Sequence, residues 1–252
     1  MIRVLRVFVS TILLWSAVTA ACADTLRVLT SGAFKPVVQA VALDFERSTS
    51  HKVHISNDTA GNLVRRIEQG EAFDVVILTP SGLQALAEKQ LLRPETITSL
   101  GHVGVGVAVK KGLAHPPLVT EEDFIRLLHT AQRVAYIDPA SGGSSGIYLD
   151  GLFRRLGLQD MLAGKAVLVK GGLVAEKLVT GEADLAIHQI SEILAVGGAE
   201  LVGPLPAKLQ NYTRYAGAIG KASAQPVLGQ DFLVAFSSPM AVQTMKNKGL
   251  ER

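Results

Sequence analysis

The spacing of apolar positions along the chain switches repeatedly between the two-residue period of a strand and the three-to-four-residue period of a helix. Residues 25–30 (TLRVLT) read as a buried strand. Val37, Val38, Val41, Ala42 and Phe45 then predict a helix over 36–47, with Pro36 suited to its first turn. A short strand over 52–55, a helix over 63–68, a strand over 74–78 and a helix over 83–89 follow. Val103, Val105, Val107 and Val109 alternate through 102–110, which predicts a longer strand. Beyond it the pattern gives a helix over 121–129, strand 133–137, helix 147–156, strand 166–169, helix 173–179 and strand 184–187. A strand over 215–219 and a helix over 238–246 close the chain.

Strands that alternate with helices imply an α/β fold, its sheets mostly parallel and covered by helices on both faces. Two lobes are expected. The first crossing between them falls near 101–106, and the second near the Gly- and Pro-rich 196–206. On that division, 24–103 plus 199–252 form one lobe and 104–198 the other.

The first 23 residues read differently. Arg3 and Arg6 precede a mostly apolar run from 7 to 18, and Ala21-Cys22-Ala23 fits a small-residue cleavage site. A signal peptide over 1–23 is expected, with export to the periplasm. Acylation of Cys22 is the alternative, but Thr19-Ala20-Ala21 lacks the leucine of a lipobox. The apolar run is too short to span a bilayer, which takes about 20 residues. Cleavage would remove the single cysteine, the single tryptophan and two of the positive charges behind the formal +3. The near-neutral remainder carries no electrostatic footprint for nucleic acid. One cysteine also excludes a disulfide scaffold and a cysteine-rich zinc site.

Four loops at strand ends carry the candidate chemistry. The first holds Thr30, Ser31, Gly32, Ala33 and Lys35; the second Thr59, Ala60, Gly61 and Asn62; the third Ser144, Ser145 and Gly146; the fourth Gly172. Small residues leave backbone N–H groups exposed, and each loop feeds a helix N-terminus, where unpaired N–H groups and the helix dipole favour an anion. In an open α/β sheet, ligands settle at such strand ends. Lys35 stands just before Pro36, where a cation opposes the dipole, and it is a candidate ion-pair partner for an anionic ligand.

Other motifs lead elsewhere. Gly142–Gly146 matches G-x-S-x-G, but Pro139, Ala140 and Ser141 intervene after the strand that a nucleophile elbow follows directly, and only His188 could serve a triad in that order. His51 and His54 read as surface histidines on an edge rather than a metal pair. No phosphate-binding Walker motif is present around Gly164-Lys165. Binding without a cofactor, a metal or catalysis is the expectation.

Several stretches resemble the periplasmic molybdate-binding proteins of ABC importers, within the wider class of bacterial solute-binding proteins. These are the first strand and helix, 63–70 (LVRRIEQG) with 74–77 (DVVI), Asp138-Pro139 with 145–148 (SGIY), and 181–187 (GEADLAI). The likeness runs through most of the chain after residue 23. It implies two α/β lobes that close around a small anion, and a monomer that passes its ligand to an ABC-transporter permease. In the family, hydroxyl groups stand at positions that fall here on Ala33, Ala60 and Gln189. Gln189 completes the expected ligand-binding set. A tetrahedral oxyanion is held by neutral donors, whereas a carboxylate more often recruits Lys or Arg. The lost hydroxyls and Lys35 admit an organic anion, but a molybdate-like oxyanion is expected first, because the overall likeness is to that family. A di- or tricarboxylate ligand, or a role as a periplasmic sensor subunit, is the alternative.

Overall fold

The computed structural model describes residues 24–252. The expected signal peptide and Cys22 lie outside the described residues. Ten strands form one curled sheet: β1 (Thr25–Ser31), β2 (Lys52–Asp58), β3 (Val75–Leu78), β4 (Thr98–Lys110), β5 (Val134–Ile137), β6 (Ala166–Val169), β7 (Leu185–Gln189), β8 (Ala199–Pro204), β9 (Tyr212–Ile219) and β10 (Leu250–Glu251). The main path is β2-β1-β3-β9-β4-β7-β5-β6, with β8 and β10 also paired to β4. Within each half the early strands are parallel, β2 and β3 to β1, and β6 and β7 to β5. The strands that cross between the halves pair antiparallel.

Among the described residues ten α-helices cover this sheet: α1 (Lys35–Thr49), α2 (Ala60–Glu68), α3 (Pro80–Glu88), α4 (Glu121–Thr130), α5 (Ser144–Arg155), α6 (Gln159–Ala163), α7 (Glu176–Val179), α8 (Ile190–Ile193), α9 (Pro226–Ala235) and α10 (Pro239–Asn247). The predicted periodicity of α1 is what packs: Val37, Val38, Val41, Ala42 and Phe45 are all buried. They join Leu26, Val28, Ile77, Phe232 and Phe236 on one face of the first sheet half. Leu63, Ile67, Leu83 and Leu86 cover its other face. The second half is built the same way, with Phe124, Leu128, Leu149 and Leu152 on one face and Val174, Leu178 and Ile193 on the other.

Strand β4 belongs to both halves. Residues 98–104 pair with β9, and residues 105–108 with β7. Residues 199–204 form β8, which pairs with 106–110 of β4 in the second half rather than joining the first. The chain then crosses over 205–211. Where β8 ends and β9 begins, the ladder is completed by a side chain. The Gln210 amide accepts from the Val105 N–H and donates to the Val105 carbonyl, each at 2.9 Å. No helix among the described residues is long and apolar enough to cross a membrane.

Candidate functional site

Strand β1 ends at Ser31, and a single turn of 3-10 helix, Gly32–Phe34, leads into α1. Phe34 is fully buried against Tyr215 and Phe236, which fixes that turn on the core. Beside it, Thr59 caps α2, its hydroxyl accepting from the Asn62 N–H. From the second half come the start of α5, the loop at Gly172, and the junction of β7 with α8. These segments surround a cleft of about 330 Å³.

Ten of the expected residues line this cleft: Ser31, Gly32, Ala33, Lys35, Thr59, Ala60, Ser144, Ser145, Gly172 and Gln189. The other four stand back from it. Thr30 is fully buried, and its hydroxyl donates to the Ser31 carbonyl. Asn62 turns its amide to Asp58, at 2.8 Å. Gly61 meets the opposite half, its N–H donating to the Gly142 carbonyl at 3.0 Å. Gly146 lies under the helix, where a Cβ would stand 2.3 Å from the Ile137 carbonyl oxygen. The G-x-S-x-G run therefore serves close packing of α5 on β5, since a Cβ on Gly143 would also meet Ile137 at 2.5 Å.

The halves touch at the edge of the cleft. The Thr59 hydroxyl donates to the Ser141 carbonyl at 2.6 Å, and the Arg65 guanidinium reaches the same carbonyl at 3.4 Å. With the Gly61–Gly142 hydrogen bond, these contacts hold α2 against the loop before α5.

The charges around the cleft are unevenly placed. Residues from three helix N-terminal turns line it, those of α1, α2 and α5, and none of these turns contains an acidic residue. By contrast, α4 faces elsewhere and fills its own N-terminus with Glu121, Glu122 and Asp123 and a capping box with Thr120. Lys35, the one cationic lysine or arginine in the lining, has no ion-pair partner among the described residues. Asp58 also lines the cleft, but its carboxylate is engaged by Asn62, the Thr59 N–H and Arg66.

Periodicity did not reveal the floor of the cleft. His188 near the end of β7 and Glu192 in α8 are both buried, with the imidazole Nε2 3.2 Å from a carboxylate oxygen of Glu192. The other Glu192 oxygen lies against Gly32, only 2.4 Å from where a Cβ on that glycine would stand. Burial pushes the Glu192 carboxyl up to about 8 and the His188 imidazole down to about 3. Burial thus favours the neutral form of both groups. Tyr215 packs beside them, its phenol shifted upward by burial and by the Glu192 charge; it neighbours the Ser31 hydroxyl without making a formed hydrogen bond to it. Ser31 Oγ, His188 Nδ1 and Gln189 Oε1 are buried without partners among the described residues, and all three residues line the cleft. Unpaired buried polar atoms are costly, and a polar ligand would satisfy them. The signal in the sequence is the i, i+4 spacing of His188 and Glu192 across a strand end, outside any helix long enough to show a period.

The chain belongs to the family of bacterial extracellular solute-binding proteins, whose model matches residues 26–251. It is 31% identical over 233 residues to an aconitate isomerase from Pseudomonas sp, covering 90% of this chain and 87% of that protein. Among solved structures, the periplasmic molybdate-binding protein of Azotobacter vinelandii superposes with a TM-score of 0.76 at 21% identity, over 90% of this chain and 99% of that one. The sulfate-binding protein of Mycobacterium tuberculosis gives 0.69 at 15% identity, over 90% and 86%. These two likenesses show the fold. The fold is that of the solute-binding proteins of ABC importers.

Proposed function

We propose that the cleft receives a small organic polycarboxylate of the aconitate type and catalyses its isomerisation. The observation that carries this reading is the carboxyl group of Glu192 on the floor of a cleft otherwise arranged for anions. Protonated, that carboxyl can donate a hydrogen bond to any anionic guest; ionised, it repels any of them. An organic acid with a C=C bond can exchange a proton with it. The N–H groups of three helix turns, together with Lys35, suit two or three carboxylates at once. Ala33 and Ala60 offer no hydroxyl to an oxyanion. The aconitate isomerase relative extends the reading from binding to turnover.

A second reading, capture of a molybdate-like oxyanion for an ABC permease, is favoured by the same helix turns and by the fold. Calorimetry with cis-aconitate, trans-aconitate, citrate, molybdate and sulfate separates the two. Binding of the aconitates, with their interconversion followed by proton NMR, is the expected result. Micromolar binding of molybdate without response to any tricarboxylate would return the protein to oxyanion transport.

A further inference from the structure

We infer that Glu192 is the catalytic residue that carries the proton in this isomerisation, and that His188 is the residue that positions it. The inference rests on the reading of the cleft as an aconitate site. A cis–trans change about a C=C bond requires the double-bond order to fall transiently. A thiol can achieve this by addition and elimination, but residues 24–252 contain no cysteine. A proton shift achieves it with one acid–base group. The Glu192 carboxylate takes a proton from the methylene carbon next to the C=C. The electron pair of that C–H bond becomes the new C=C bond, and the old π pair moves to the far carbon. Glu192 returns the proton there. One C–H bond breaks, one forms, and neither oxidant nor reductant is consumed. The negative charge that develops in between spreads onto a substrate carboxylate, next to Lys35 and the helix-turn N–H groups.

The geometry assigns the two roles. Glu192 reaches the wall of the cleft at Gly32, where no side chain intervenes. His188 holds the other carboxyl oxygen at 3.2 Å. The Ser191 hydroxyl donates to the Ala33 carbonyl at 2.8 Å, which ties α8 to the same turn and fixes where Glu192 points. His188 lies 3.2 Å from Glu192 and the Tyr215 phenol senses its charge; the other titratable groups lining the cleft are Lys35 at the start of α1 and Asp58 at the end of β2, the last already paired. Its desolvated carboxyl ionises near 8, where both forms are available for transfer at neutral pH.

The test uses the described chain, residues 24–252, with cis-aconitate and trans-aconitate as probes. For the unaltered protein, kcat should rise with pH to a limb near 8, and interconversion in D2O should place deuterium on substrate carbon. Glu192→Gln should lower kcat by about a hundredfold or more, while aconitate affinity by calorimetry stays within a few-fold. His188→Asn should lower kcat and move the pH limb with affinity retained, a displacement that a purely structural role would not produce. Infrared difference spectra at neutral pH should show a protonated carboxyl band that Glu192→Gln removes. Interconversion that survives Glu192→Gln overturns the assignment and leaves the aconitate reading standing. An unaltered protein that binds neither aconitate overturns both.

Discussion

Lys35 opens α1 with a cation at the positive end of the helix dipole, an arrangement that costs about 0.3–1 kcal/mol when nothing offsets it. A bound carboxylate would offset it. Removing one partner of a desolvated charge pair costs about 2–5 kcal/mol, so Lys35→Ala should weaken aconitate binding more than tenfold by calorimetry. A change of only two- or threefold would show that the ligand rests on backbone N–H groups alone. His188 and Glu192 lead to a prediction about pH. Burial raises Glu192 from 4.5 to about 8, so its contribution to stability is whole below 4.5 and is lost as pH climbs through 8. Burial lowers His188 from 6.5 to about 3, so its contribution is whole above 6.5 and is lost as pH falls through 3. The slopes oppose each other between 4.5 and 6.5. The thermal midpoint should be flat there and decline on both sides, and Glu192→Gln should abolish the alkaline decline. Of the residues involved, Lys35 was legible in the sequence because it breaks the charge rule of a helix start. Glu192 was not, because a carboxylate on a four-residue helix leaves no periodic trace.

Helix N-termini position the site, and the loops before them fasten it. Gly61 and Gly142 approach so closely that a Cβ on either would stand 2.8 Å from the other's Cα. Gly61→Val should therefore wedge the halves apart. Small-angle scattering should show a larger radius of gyration for that variant, and saturating ligand should restore it only in part. An unchanged radius would mean that the contact is not part of closure. Gln210 acts at the element scale too, filling the one gap between β8 and β9 along β4. Gln210→Ala leaves the Val105 N–H without that partner and should cost about 1–3 kcal/mol in denaturant unfolding. Elements with one buried stripe were readable: α1 was predicted within two residues of its observed ends, and the strands β1, β3 and β6 within one. Helix α9 was not predicted, because Val227 and Val234 carry its apolar character onto the exposed face and blur the period. Strand β8 was hidden among Gly and Pro, and only its pairing with β4 makes it a strand.

At the scale of the molecule, the alternation of strands and helices announced an α/β fold, but strand order was beyond its reach, because pairing depends on contacts distant in sequence. The most consequential of these is the place of β9, which lies between β3 and β4 and bonds to both. A chain ending at residue 211 would lack it, and should show no cooperative thermal transition; a sharp melt from such a fragment would mean that the halves fold independently. A ribosome makes β1, β2, β3 and β4 early, yet the central seat of their sheet stays vacant until Tyr212–Ile219 emerges. The first half therefore cannot complete its sheet in order of synthesis. That half of the growing polypeptide remains threadable until Tyr212–Ile219 is made, a property that any passage through a narrow channel demands.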